Sequence, residues 1–188
     1  MTYKMVLLGC MIVAQIAVPV WMITDHERTL RDGEEFRFRS RAVDPADLFR
    51  GRYVAIGVES VSGPYHGDAE LERGQTVYAY LDRDEEDFAF IREVSVSPPE
   101  DDTPYIAVPF SNLHFETGDA FVRMPFERYY MEESAAPVAE VAYFRSVRDE
   151  EGSTYITVRV RDGKAAIDGL FINDQPVLEY LSTFDPQA

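Results

Sequence analysis

Two short polar clusters hold the side chains of this 188-residue chain that are best placed to do chemistry. In the first, Asp44, Asp47, Arg50 and Arg52, with Tyr53 beside them, crowd two carboxylates and two guanidiniums into nine residues. A guanidinium presents a planar fork of donors that grips a carboxylate or phosphate through two bonds at once. Arg50 and Arg52 can therefore hold an anionic ligand or a partner's carboxylates. Equally, they can pair with Asp44 and Asp47 and pin a loop against a strand. The second cluster is Glu127, Arg128, Tyr129 and Tyr130. On an extended chain Glu127 and Tyr129 point to one side and Arg128 and Tyr130 to the other, so one of those faces is buried or bound. A buried tyrosine with a hydrogen-bonded hydroxyl is the ordinary outcome.

The remaining reactive residue types form no constellation. His26, His66 and His114 are far apart and show no metal-ligand spacing. No nucleophile-elbow signature and no phosphate-cradling glycine loop is present. The acidic runs at 84–87, 99–102 and 148–151 lack the ligand periodicity and glycine of a calcium loop and read as solvated surface. Cys10, the single cysteine, lies in an apolar stretch, which leaves the rest of the chain without a disulfide or a thiolate. The reading therefore carries no metal and no cofactor. With 34 acidic against 18 basic side chains the surface repels phosphate backbones, so nucleic acid is not expected as a partner.

The elements that must position these clusters are short. Phe36–Ser40, Tyr53–Val58, Thr76–Leu81, Phe88–Val96, Ile106–Phe110, Ala120–Met124, Glu140–Ser146, Tyr155–Val160 and Ala165–Ile172 read as strands. Tyr155, Thr157, Arg159 and Arg161 alternate along one face, as on a half-buried strand. Ser60–Gly74 reads as a glycine-rich loop, 82–87 as a charged hairpin connection and 97–104, with three prolines, as irregular. Ser134–Glu140 is a candidate amphipathic piece, and Leu178–Phe184 a terminal strand or turn. Many short strands with turn residues between them predict a mainly β fold, an antiparallel β-sandwich or barrel.

Ahead of this body, Met5–Ile23 runs for nineteen residues without a charge. At about 1.5 Å per helical residue it spans roughly 28 Å, close to the hydrocarbon thickness of a bilayer. Trp21 sits near its far end, where an indole favours the interface. The run is long and ends in a poor cleavage site, against a cleaved signal peptide. Leu7–Cys10 resembles a lipobox, but too few apolar residues precede the cysteine. The expectation is a retained transmembrane helix: residues 1–24 form the anchor and 25–188 a β-rich extracytoplasmic domain. Lys4 and a short head place the N-terminus in the cytoplasm, so the protein would be a single-pass signal-anchor of the inner membrane with its C-terminal domain periplasmic or extracellular.

Arg52-Tyr53-Val54 is similar to Arg128-Tyr129-Tyr130, and three further pairs follow in the same order: Tyr78–Leu81 with Val141–Phe144, 88–96 with 154–160, and 106–112 with 167–173. Either the body holds two similar packed halves, about 36–118 and 119–181, or strands of like composition match by chance. A duplication would let the two Arg-Tyr elements meet between the halves.

At these clusters a family resemblance enters. Asp44–Val58 (DPADLFRGRYVAIGV) resembles the signature of the GDYXXLXY proteins, a family of uncharacterised bacterial membrane-anchored proteins. Gly51 and Tyr53 match the naming motif, Arg52 stands where the aspartate would be, Ile56 replaces leucine, and Val58 replaces the last tyrosine. Phe126–Glu132 and Asp162–Asp174 resemble two further family segments. The resemblance implies an N-terminal anchor, a β-rich domain and association with a polytopic membrane protein. The expected function is thus a membrane-anchored, non-enzymatic accessory or binding protein, with Asp44, Asp47, Arg50, Arg52, Tyr53, Glu127, Arg128 and Tyr129 as its binding residues. The alternative is a cell-envelope hydrolase using Glu127 with Asp44 or Asp47 across the two halves.

Overall fold

A computed structural model describes residues 2–41, 53–114, 116–148 and 153–185. The chain opens with one long helix, α1 (Thr2–Asp32). Two five-stranded sheets and a two-stranded ribbon follow. The strands are β1 (Glu34–Arg41), β2 (Tyr53–Ala55), β3 (Gly57–Val58), β4 (Ser62–Pro64), β5 (Thr76–Arg83), β6 (Ala89–Ser95), β7 (Tyr105–Leu113), β8 (Asp119–Val122), β9 (Arg128–Tyr130), β10 (Thr154–Arg161), β11 (Lys164–Ile172) and β12 (Gln175–Pro176). Helix α2 (Ala136–Arg148) lies between β9 and β10, and α3 (Val177–Leu181) follows β12.

The first sheet has the order β12-β11-β10-β1-β3 and the second β4-β8-β7-β5-β6. Every ladder is antiparallel. The body is mainly β, as its alternation predicts. The second sheet is nearly closed into a barrel: an isolated bridge joins Tyr65, just past β4, to Val94 of β6, so its two edges meet. Bulges help it curve. The register slips by one residue between β5 and β6 and again between β7 and β8, and an extra residue bends a strand and increases its twist. β1 and β3 sit with the C-terminal strands while β8 sits with β4–β7, so the sheets are not sorted by position along the chain.

Alternation places the core. Phe36 and Phe38 of β1, Val77, Ala79 and Leu81 of β5, and Ile106, Val108 and Phe110 of β7 point inward and are buried. β10 departs from the half-buried strand that was expected. Thr154–Val158 are buried on both faces, because β10 is central in its sheet and its outer face is covered. There Tyr155 stacks flat on Phe171 at 5.1 Å and meets Phe88 edge-on at 5.6 Å. Arg39 lies 3.8 Å over Phe88 and is held by Asp84 and Glu86 of the β5–β6 hairpin.

Glu140–Ser146 is not a strand. Those residues belong to α2, whose buried positions, Ala136, Ala139, Ala142, Tyr143 and Ser146, follow helical spacing. A short apolar run satisfies both periods, and the alanines let the helix lie close on the sheets. Consequently Val141–Phe144 is helical where its sequence counterpart Tyr78–Leu81 is in β5. The terminal segment also begins as a helix, α3, with a turn after it, and is not a strand.

One further feature orients the body. α1 continues to Asp32, and only Gly33 separates it from β1. A Cβ on Gly33 would sit 2.4 Å from the Thr29 carbonyl oxygen and 3.1 Å from the Val160 nitrogen, so only glycine fits between helix and sheet. Thr29 is buried there. Lower on the helix, Lys164 bonds Asp25 at 2.5 Å and lies 5.7 Å over the Trp21 ring. Among the described residues no helix is long and apolar enough to cross a membrane.

Candidate functional site

The described part of the first Arg-Tyr element, Tyr53-Val54, meets the second. β2 and β9 pair antiparallel with Tyr53 opposite Tyr130, Val54 opposite Tyr129 and Ala55 opposite Arg128, and the Ile56 amide donates to the Glu127 carbonyl at 2.9 Å. Directly opposed residues share a face of an antiparallel ribbon. Val54 is fully buried and Tyr129 half-buried, so that pair forms the inner face. Burial pushes the Tyr129 hydroxyl above its usual range, and the Asp168 carboxylate adds to the shift. The outer face carries Tyr53, Tyr130 and Arg128.

On that face the Tyr53 and Tyr130 rings meet edge to face with centroids 5.8 Å apart. The Arg128 guanidinium lies 5.0 Å over the Tyr53 ring and hydrogen-bonds the Tyr130 side chain, which stabilises its charged form further. Tyr130 nonetheless remains 67% exposed, so this platform is open to solvent.

Beside it runs a groove of about 410 Å³, lined by Arg123, Met124, Pro125, Glu127, Arg128 and Tyr130. The connection from β8 to β9 builds its wall by simple alternation. Met124 and Phe126 are buried, with Phe126 against Phe38 at 5.1 Å, while Arg123, Pro125 and Glu127 face outward. The Arg123 amide holds this segment to β7 through the Pro109 carbonyl at 3.0 Å. Two guanidiniums, a phenol and one carboxylate suit a ligand that carries carboxylate or phosphate groups and a flat face to stack. Among the described residues, the lining contains no serine, cysteine or histidine.

Of the expected binding residues, the ribbon brings together Tyr53, Glu127, Arg128 and Tyr129, with Tyr129 turned inward. Asp44, Asp47, Arg50 and Arg52 lie outside the described residues. The same holds for the carboxylates with which Glu127 was expected to work. Arg123, Met124 and Pro125 were missed, although the pattern Arg-Met-Pro-Phe-Glu alternates polar with apolar directly before the Glu-Arg-Tyr segment.

A second cavity, of about 220 Å³, lies on the outer side of α2 between Glu140, Val141, Phe144, Arg145 and Arg148. Burial there raises the Glu140 carboxyl above the usual range. Among the described residues no three His, Cys, Asp or Glu side chains gather as a metal site requires.

Fold and site together define a small antiparallel β protein with an N-terminal helix and an open Arg–Tyr groove. The chain belongs to the GDYXXLXY family, whose model, described as GDYXXLXY protein, matches residues 15–170. Part of the naming motif now has a structural reading: Tyr53 packs on Tyr130 beside the groove, while Ile56 and Val58 are core residues. Neither the comparison with curated proteins nor that with solved structures gives a match.

Proposed function

We propose that this protein is a non-enzymatic accessory protein of the cytoplasmic membrane. α1 is its single transmembrane anchor, the acidic body stands on the periplasmic or extracellular side, and a polytopic membrane protein is its partner. The observation that carries this reading is the surface of α1. Met11, Ile12, Val13, Ile16, Val18 and Val20 are each about half exposed or more. Large apolar side chains exposed around a whole helix are costly in water and ordinary in lipid. They belong to the uncharged run Met5–Ile23. At roughly 25 cal/mol per Å² of apolar surface, covering such a helix favours insertion by many kcal/mol.

The groove beside the β2–β9 ribbon then serves as a second contact, for a ligand or protein segment bearing carboxylates. Arg123 and Arg128 both line it, and a carboxylate matches their donor forks. The test is co-purification from solubilised membranes with the parent chain and with Arg128→Glu. A polytopic protein should accompany the parent in stoichiometric amount and be reduced or lost with the variant. Recovery of the parent as a lone monomer overturns the accessory role.

A further inference from the structure

We propose that the β10–β11 turn rests on the lipid headgroup layer of the membrane that holds α1, so that the body stands upright with the Tyr53–Tyr130 platform at its far end. This rests on the anchor reading above and adds an orientation to it.

Three observations carry the proposal. First, the last turns of α1 run alongside β10 in a fixed direction. Asp25 and Trp21 meet Lys164, just past the turn, while Gly33 meets Arg159 and Val160. From Gly33 the chain passes directly into β1, which pairs Glu34 with Val160 and Arg39 with Tyr155. Trp21, the β10–β11 turn, Gly33 and the far end of β1 therefore follow one another along a single axis. Trp21 closes the apolar run, so the turn that reaches down to it lies at the level where lipid headgroups begin.

Second, the joint is rigid. Lys164 is held by a carboxylate and a ring one helical turn apart. Gly163 has φ +76, and a Cβ there would lie 2.7 Å from the Tyr105 ring, so the turn is packed against β7 as well as against α1.

Third, the charge is locally balanced. The chain as a whole is at −16, which an anionic leaflet repels. At this end Arg28, Arg31, Arg161 and Lys164 stand with Asp25, Glu27, Asp32 and Asp162. Three of these pair directly: Lys164 with Asp25, Arg31 with Asp32 and Arg161 with Asp162. This end can approach headgroups without the repulsion that meets the rest of the surface. The β2–β9 ribbon lies beyond Arg41, at the other end of β1, because Gly57 pairs with Arg41. Seven strand steps at about 3.3 Å put it roughly 23 Å further out. Its ligand accordingly comes from the aqueous side and not from the bilayer.

The test uses the full chain with Cys10→Ser, in nanodiscs of mixed zwitterionic and anionic phospholipid. A nitroxide is placed on Asp162→Cys or, at the opposite end of the same sheet, on Gln175→Cys; both positions are exposed in the body. The label at 162 should lose most of its collisions with a water-soluble relaxation agent relative to the label at 175. In the unmutated chain, magnetisation from lipid headgroup protons should reach the amides of Asp162 and Gly163, which needs no substitution at the turn. Lys164→Glu should restore access at 162 while the emission of Trp21, the single tryptophan, stays blue-shifted. Equal access at 162 and 175, with no headgroup transfer and a blue-shifted Trp21, overturns the orientation and leaves the anchor standing. A water-like Trp21 spectrum in a chain that washes off the discs removes the anchor and the orientation together.

Discussion

Replacing Tyr143 with phenylalanine removes one oxygen from the place where α2 joins the first sheet, and the structure sets what that costs. Tyr143 is fully buried. Its hydroxyl accepts the Gly57 amide at 3.2 Å and donates to the Arg41 carbonyl, also at 3.2 Å. Arg41 ends β1 and Gly57 begins β3, so one phenol ties the end of β1 to the strand that carries the last residues of the naming motif. In Tyr143→Phe the ring still fills its site, but the buried Gly57 amide loses its acceptor. An unpaired buried donor costs about 1–3 kcal/mol. With a urea m value of about 2 kcal/mol/M, the midpoint should fall by roughly 0.5–1.5 M while m stays unchanged. The transition should be followed by circular dichroism of the strands in detergent-solubilised full chain, because Trp21 reports on α1 and not on the body. A second handle comes from pH. Burial raises the Tyr143 hydroxyl above its ordinary value of 10.0, so the unfolded state ionises first. The stability tied to the neutral phenol is whole below pH 10 and is lost as pH rises toward the folded value. The phenylalanine variant has nothing to lose there, so the gap between the two proteins should narrow above pH 10. An unchanged midpoint at neutral pH would refute the claim that this hydroxyl carries the junction.

Two further outcomes follow from the same geometry. Gly163→Ala places a side chain in the left-handed region and against the Tyr105 ring, and should cost about 1–3 kcal/mol in thermal or urea unfolding. A variant as stable as the parent would show that the turn is not packed as described. Asp84→Ala removes the carboxylate that accepts the Glu86 and Phe88 amides and pairs with Arg39. The Phe88 bond is the main reason its carboxyl lies below the ordinary value of 3.8. Its contribution is present above that value and lost as pH falls through the lower folded one, so parent and variant should converge in stability below about pH 4. A gap that widens on acidification would contradict the assignment.

What was legible in the sequence was whatever the period of the side chains controls. β1, β5, β7 and β11 bury every second residue over much of their length, and their alternation names them. α2 failed that test because Ala139, Ala142, Tyr143 and Ser146 sit among other apolar residues, so both periods fit and only packing decides. The flanking Asp162-Gly163 and Asn173-Asp174 pairs, all with positive φ, were readable as two-residue hairpin turns and would have fixed the β10–β11–β12 order. The partnership of β2 with β9 was hinted at only by the shared Arg-Tyr pair. The strands are three residues each and lie more than seventy positions apart, so no local pattern encodes their register. The groove needed that pairing, together with the inward turn of Met124 and Phe126, before Arg123 and Arg128 could line it together. The docking of α1 on β10 and β11 was invisible for the same reason: Asp25 and Lys164 are 139 residues apart.

The central claim is that α1 holds the chain in a membrane with its body outside the cytoplasm. The most direct measurement is protease protection after alkaline washing, made on spheroplasts and on inverted membrane vesicles and read through a C-terminal tag. The account predicts that the chain stays in the washed membranes, that the tag is digested from spheroplasts, and that it survives in sealed inverted vesicles. Release of the chain by alkali, or loss of the tag only from the cytoplasmic face, would contradict it.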